Sequence, residues 1–200
     1  MEIDWNLVLQ IGGVLIGLLY LWWEYHADPK MWFASIVMPA ISTWLYFRKG
    51  LYADFGINIY YLVIAVYGYI AWTVRGKSGD SAKASKPSLP ISHASWPILI
   101  GCAVATAVIW AAIWWILVRF TNSTVPVADA FTTALSIVAM WMLARKYVEQ
   151  WLAWFIVDAV CVGLYIYKEI PFYAGLYGLY TIIAGFGYRK WVRQINRPAE

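Results

Sequence analysis

The sequence predicts an all-α integral membrane protein with seven transmembrane helices, and its composition, its apolar runs and an internal repeat support this prediction. Of the 200 residues, 62% are hydrophobic and 13% are charged. A soluble domain of this size could not bury so much apolar surface. Several apolar runs approach the roughly 20 residues that a helix needs to cross a bilayer. Almost the whole chain is therefore expected to lie within a lipid bilayer.

One long polar linker interrupts the predicted spans. The linker, 73–95, is rich in Ser, Gly, Lys and Pro, so it is expected to be a flexible loop, with His93 as a solvated residue in it. It separates three spans from four. The apolar runs place the spans at 6–25, 31–49, 52–72, 96–118, 126–146, 151–168 and 171–190.

Lysine and arginine residues are unequally divided between the two predicted sides of the membrane. The side that holds the N-terminus carries four, and the other side carries eleven. Because cytoplasmic loops carry the excess of these residues, the N-terminus is predicted outside and the C-terminus in the cytoplasm. The basic residues are spread over separate loops, which argues against nucleic-acid binding.

An internal repeat without gaps relates two parts of the chain at a shift of 119 positions. Residues 32–72 align with residues 151–191, and 13 of these 41 positions are identical. The predicted organisation is a first three-helix repeat, a linker, a connecting helix, a second repeat and a tail, at 1–72, 73–95, 96–118, 119–191 and 192–200. Since an even number of crossings separates the repeats, both are expected to run in the same direction. Transporters with parallel repeats have their substrate site near the midplane, between the halves.

Positions at which the repeats differ chemically are the better site candidates, since one asymmetric ligand contacts two halves unequally. Asp158, in "WLAWFIVDAV", aligns with Pro39 near the middle of its span. A charged carboxylate there costs several kcal/mol unless it faces a polar cavity or a partner. Trp151 and Trp154 share its helix face. Aromatic rings and an acid suit a flat cationic or polar ring, and a structural hydrogen bond from Asp158 is the alternative.

Further candidates lie in the third and fifth spans. In "LYADFGINIYY", Asp54 and Asn58 are four residues apart on one face, with Tyr61 beside them. The fifth span contributes Ser136 and Trp141. The alternatives are a helix-capping role for Asp54 and positions in the interfacial aromatic belts for the ring residues.

The blocks "GLYADFGINIYYLVIAVYGYIAW" and "WLAWFIVDAVCVGLYIYK", together with the three-plus-one-plus-three repeat, resemble the PnuC family of bacterial vitamin transporters. The resemblance implies an architecture like that of the SWEET sugar transporters. It implies facilitated diffusion of an unphosphorylated vitamin precursor across the inner membrane, usually nicotinamide riboside, and a cytoplasmic vitamin kinase that traps it. It also identifies Trp151 and Trp154 as the family's WxxW motif, and it implies no cofactor.

The sequence departs from the nicotinamide riboside members of that family. Those members commonly carry Asn at the position of Asp158 and Gln at the position of Asn58, and they have an Asn in the fifth helix. These departures favour thiamine as an alternative substrate. A seven-helix small-molecule sensor, proton coupling through Asp158 and a homo-oligomer remain open. An enzyme is not expected, because the sequence contains no HExxH motif, His cluster or nucleophile–base pair.

Overall fold

The computed structural model describes residues 5–48, 52–73 and 89–196, which form seven helices in two compact units. The first unit contains α1 (Trp5–Tyr25), α2 (Met31–Arg48) and α3 (Tyr52–Thr73). The second contains α4 (Trp96–Phe120), α5 (Pro126–Ala144), α6 (Gln150–Tyr167) and α7 (Pro171–Ile195). The predicted all-helical fold class is thereby confirmed. Parts of two predicted segments, residues 74–88 of the linker and 197–200 of the tail, lie outside the described residues.

Among the residues that the structure describes, four helical segments are long and apolar enough to cross a membrane by length and composition. They are Phe55–Thr73, Trp96–Phe120, Pro126–Ala144 and Gln150–Tyr167. None of the residues in α4 is buried. Exposed apolar side chains recur at every fourth residue in its first half, as expected of a helix face in contact with lipid: Trp96, Ile100, Val104 and Val108.

The α1–α2 and α5–α6 connections have matching backbone geometry although their sequences differ. Six backbone hydrogen bonds between residues 22 and 33 recur 119 positions later, between residues 141 and 152. Each connection contains one residue in the left-handed region, Ala27 at φ 52° and Lys146 at φ 55°. This residue ends the preceding helix and turns the chain back. Burial of Lys146 in the second connection lowers the pKa of its ammonium group to about 8.

Within the first unit, α2 packs against α3 through a tryptophan on a glycine. The buried ring of Trp32 lies on Gly68, and it meets Trp72 edge to face with ring centroids 5.4 Å apart. Gly68 has no side chain, so the ring can approach the α3 backbone. Both tryptophans are fully buried, which makes this contact the centre of the α2–α3 packing.

Within the second unit, α6 packs against α7 in the same way. Trp151 lies on Gly187 and meets Trp191 edge to face, with ring centroids 5.7 Å apart and an interplanar angle of 89°. These three residues stand 119 positions after their counterparts in the first unit. The same sidechain packing therefore joins the last two helices of each repeat.

The end of the predicted linker pairs with the α5–α6 connection. The Ser92 amide donates to the Lys146 carbonyl at 3.1 Å, and the Val148 amide donates to the Ser92 carbonyl at 3.0 Å. These two bonds form a short parallel backbone pairing just before α4 begins. They attach the segment that leads into α4 to the second repeat.

Glu149 extends this attachment through its side chain. Its Oε1 lies 2.8 Å from His93 Nδ1, and its Oε2 accepts a hydrogen bond from the Ala94 amide at 2.9 Å. His93 is an exposed residue outside the helices, as the sequence predicts, and the contact of its ring with the carboxylate of Glu149 is an addition that the sequence did not predict.

A candidate substrate site on helices α6 and α7

Helices α6 and α7 run antiparallel, and their facing side chains meet in successive layers. Trp151 contacts Gly187, and Tyr165 stacks with Tyr173. The same register places Asp158 opposite Tyr180 and Cys161 opposite Tyr177, and each of these pairs interacts electrostatically. One antiparallel register relates all four layers. The first layer is packed closely around a glycine, whereas the others contain acidic, thiol and phenol groups.

Asp158 lies in the second layer, near the middle of α6. The residue is 7% exposed, and the described residues supply no hydrogen bond to its carboxylate. Its polar neighbours are Cys161 on the same helix and Tyr177 and Tyr180 on α7. Burial of a carboxylate without a partner is costly, so this group is suited to a ligand that supplies positive charge or a hydrogen-bond donor.

Four tyrosines extend from Asp158 toward the α6–α7 turn. Tyr165 is stacked between Tyr173 and Tyr177, with ring centroids 5.3 and 5.2 Å away and interplanar angles of 26° and 23°. Tyr180 meets Tyr177 edge to face at 5.7 Å. We call these four residues the tyrosine column. Two of its phenol rings, those of Tyr177 and Tyr180, lie near Asp158, the only carboxylate in α6.

The two tryptophans of the WxxW motif have different surroundings. Trp151 is 1% exposed and lies on Gly187, and its counterpart Trp32 has the same packing in the first unit. Packing thus accounts for the position of Trp151, and its contact with substrate stays a prediction. Trp154 is half-buried, and its indole Nε1 has no hydrogen-bond partner among the described residues. The buried Nε1 of Trp151 lacks a partner as well, so donation from the Trp154 N–H to a substrate stays a prediction.

The two candidates on α5 lie at different depths. Ser136 is buried eight residues before α5 ends, and Asp158 lies eight residues after α6 begins. At 1.5 Å per residue both are about 12 Å from the connection, so α5 and α6 bring them to the same level. Trp141 lies only three residues from the end of α5 and packs against Tyr147 at 6.0 Å. The structure thus places Trp141 beside the connection rather than beside Asp158.

The candidates of the first unit all belong to α3. Asn58 and Tyr61 are half-buried, and the Tyr61 ring packs against Tyr60 at 5.7 Å. The side chain of Asp54 lies outside the described residues. These candidates belong to the first compact unit, whereas those on α5 and α6 belong to the second.

One buried acidic residue was not predicted from the sequence. Glu24, in the last turn of α1, is 1% exposed. The Tyr20 side chain interacts with Glu24 and with Ser35 of α2, which makes a polar cluster inside the first unit. The repeat contained a signal for it, because Glu24 aligns with the apolar Leu143.

A buried amide was not predicted either. Gln150 begins α6 and is 0% exposed, and both polar atoms of its side chain lack a hydrogen-bond partner among the described residues. The aligned residue in the first repeat is the equally buried Met31. No group of three or more His, Cys, Asp or Glu side chains converges in the part of the chain that the structure describes, so the chemistry of the candidate site is aromatic and acidic.

Helices of membrane-spanning length, with a carboxylate and aromatic groups in their central turns, indicate a multi-pass membrane protein with a candidate site between its helices. The family model for the nicotinamide mononucleotide transporter matches residues 7–193. The chain therefore belongs to this family, that of the PnuC vitamin transporters.

Individual relatives differ in the vitamin that they carry. The chain is 25% identical to the nicotinamide riboside transporter PnuC of Escherichia coli, over 96% of this chain and 86% of that protein. It is 30% identical to the riboflavin/roseoflavin transporter RibM of Streptomyces davaonensis, over 93% and 86%. The crystal structure of the vitamin B3 transporter PnuC matches with a TM-score of 0.67 at 18% identity, over 93% of this chain and 81% of that one, which supports the fold. These relatives are transporters, not enzymes.

Proposed function

We propose that the protein carries a vitamin precursor whose flat ring is positively charged, by facilitated uptake across the bacterial inner membrane. Nicotinamide riboside is the substrate that the family suggests, and thiamine is the substrate that Asp158 favours. Both contain a cationic ring, a pyridinium in one and a thiazolium in the other. The observation that carries the proposal is the buried Asp158 carboxylate, which lacks a hydrogen bond from the described residues.

The groups around Asp158 support a cationic ligand in two ways. The carboxylate supplies charge, and a charge-assisted contact is about twice as strong as a neutral hydrogen bond. Indole and phenol rings attract cations through their faces, by about 0.5–2 kcal/mol depending on how well water is excluded. Trp154 adds one N–H donor for a polar group of the ligand. A neutral ring would gain less binding free energy, because it would lack the attraction to the carboxylate and the cation–π attraction to the rings.

Riboflavin is a second candidate, favoured by the 30% identity to RibM. Its ring system is large and neutral, so it would use the aromatic surface of the site but not the charge of Asp158. A binding comparison of the three vitamins therefore tests the proposal directly.

The transport mode belongs to the same proposal. Alternating access would release the vitamin into the cytoplasm, and a vitamin kinase would trap it by phosphorylation. The matching connections and the matching Trp–Gly contacts of the two units support a three-plus-one-plus-three parallel repeat like that of SWEET transporters. The excess of Lys and Arg supports an outside N-terminus and a cytoplasmic C-terminus. A reporter fused after residue 200 should then give a cytoplasmic signal, and a periplasmic signal would contradict this topology.

Calorimetric titration of the purified protein provides the main test. Nicotinamide riboside, thiamine, riboflavin and the phosphates of each are compared. The proposal expects one unphosphorylated cationic vitamin to bind most tightly. Tightest binding by riboflavin, or by a phosphate ester, would refute it. Uptake into sealed vesicles with and without a proton gradient then separates facilitated diffusion, which ignores the gradient, from proton coupling.

A further inference from the structure

We propose that α7 supplies half of the ring-binding site. Tyr177 and Tyr180 would form, together with Asp158, a subsite for the cationic ring of the substrate. This inference rests on the proposed function and extends it, because the sequence analysis placed no site residue on α7.

The spacing of the tyrosines on α7 and the register of α7 against α6 place these rings near Asp158. Tyr173, Tyr177 and Tyr180 are four and three residues apart, which puts them on one face of α7. The layers described above turn that face toward α6. Tyr180 then lies level with Asp158, and Tyr177 lies one turn beyond it. The side chains thus converge from two helices on one carboxylate.

Stacking within the tyrosine column holds the rings in fixed positions near the Asp158 carboxylate. Tyr165 holds Tyr177 by a parallel stack at 5.2 Å, and Tyr177 in turn meets Tyr180 edge to face at 5.7 Å. The rings support one another and are therefore preorganised. Asp158 has no hydrogen bond from these phenols, so its charge is available to a ligand placed beside them. A fixed ring beside an available carboxylate is the arrangement that binds organic cations.

The first repeat contains only part of this column, because Tyr46 aligns with Tyr165 but Asp54 aligns with Tyr173. Its layers retain the Trp–Gly contact, and Tyr61 aligns with Tyr180. The position of Tyr177 is occupied there by Asn58, and that of Asp158 by Pro39. The second repeat therefore differs from the first in two adjoining layers, at Asp158 in one and at Tyr177 in the next. A paired departure of this kind is expected of a ligand site rather than of structural packing.

The test compares each cationic vitamin with a neutral analogue of the same shape. Nicotinamide riboside is paired with its reduced dihydropyridine form, and thiamine is paired with its 3-deaza analogue. Tyr177→Leu and Tyr180→Leu remove the rings, and Tyr177→Phe and Tyr180→Phe retain them. Tyr188→Phe and Tyr188→Leu serve as controls, because Tyr188 lies on α7 eight residues beyond Tyr180, about 12 Å along the helix. Affinities are measured by calorimetric titration, and folding is checked by thermal unfolding in detergent.

The proposal expects each leucine variant to lose about 5- to 30-fold in affinity for the bound cationic vitamin, as the loss of a desolvated cation–π contact would give. The neutral analogue should change by less than about twofold, and the phenylalanine variants should keep most of the affinity. If a leucine variant does not fold, Tyr177→Met and Tyr180→Met replace it with a flexible side chain of similar length.

Two results would overturn the inference while leaving the proposed function intact. One is unchanged affinity for the cation in the folded leucine or methionine variants. The other is an equal loss for the cation and its neutral analogue, which would indicate that the tyrosines only support the structure. A wild-type protein that binds neither cationic vitamin would instead refute the proposed function, and this inference with it.

Discussion

The indole ring of Trp151 lies against Gly187 so closely that an added Cβ would come within 2.7 Å of its ring atoms. Real Cβ atoms essentially never approach other atoms below 3.0 Å. Because Trp151 is almost completely buried and is also packed on Trp191, its ring cannot move aside without disturbing the α6–α7 pair. Trp32 and Gly68 repeat this relationship in the first unit.

Gly187→Ala should therefore destabilise the protein. We expect a loss of about 1–3 kcal/mol, the usual cost of overpacking a core. Gly185→Ala is the matched control, because it lies on the same helix and an added Cβ there meets nothing within 4 Å. It should be neutral or stabilising by up to about 1 kcal/mol, since Ala is the better helix former. Thermal unfolding in detergent measures both, and equal stabilities would show that the glycine contact is not restrictive.

The two tryptophans of the WxxW motif should respond differently to truncation. Trp154→Ala should weaken binding of the substrate by about 1–3 kcal/mol, the scale of ring stacking, with a smaller loss of stability. Trp151→Ala should lower the unfolding temperature strongly, and so should Trp32→Ala, its structural counterpart in the other repeat. Affinity and unfolding temperature are measured on all three variants. Normal binding by folded Trp154→Ala would remove Trp154 from the site.

Much of the fold was predictable because it depends on local signals. Apolar runs predicted all seven helices to within a few residues. The end of α5 was placed two residues late, because apolarity does not reveal the left-handed Lys146 that follows it. The end of α7 was predicted five residues early. The charges of Arg189 and Lys190 indicate the membrane boundary, but the helix continues beyond them to Ile195.

The candidate site was predictable on α6 and not on α7. Asp158 stood out by its charge in an apolar run, which is a signal visible along the chain. The tyrosines of α7 become site candidates only once the α6–α7 register is known, since tyrosine is also common at membrane interfaces. His93 and Glu149 are 56 positions apart, and no local pattern connects them.

The contact between His93 and Glu149 should stabilise the segment that leads into α4. Glu149→Ala should cost about 1–3 kcal/mol, because the carboxylate also accepts the Ala94 amide, which would then lose its partner. His93→Ala should cost less, about 0.2–1 kcal/mol, since its side chain is half exposed. The unfolding temperatures of both single variants and of the double variant give the interaction free energy between the two side chains. A larger loss for His93→Ala than for Glu149→Ala would contradict this account.

Stability should depend on pH through Lys146. Its pKa is lowered to about 8 in the folded protein by burial, so between about pH 8 and pH 10 the unfolded chain binds more protons than the folded one. Stability therefore rises with pH across this range. Lys146→Met should be more stable than the wild type at pH 7, and this advantage should shrink at pH 9.5. Lys30→Met, at an exposed position, is the control, and a pH-independent advantage of Lys146→Met would exclude a titrating Lys146 as its cause.

The central claim is that Asp158 binds the substrate and determines which vitamin is preferred. Its most direct test is a calorimetric titration of thiamine and of nicotinamide riboside into the wild type and into Asp158→Asn. The carboxylate accepts a charged or hydrogen-bonding group of thiamine, so the variant should lose about 1.5–3 kcal/mol of thiamine binding. Binding of nicotinamide riboside should be weakened less, because the family resemblance implies that its transporters commonly use Asn at this position. Equal changes in affinity for both ligands, with a lower unfolding temperature, would show that Asp158 is a structural group and would contradict the account.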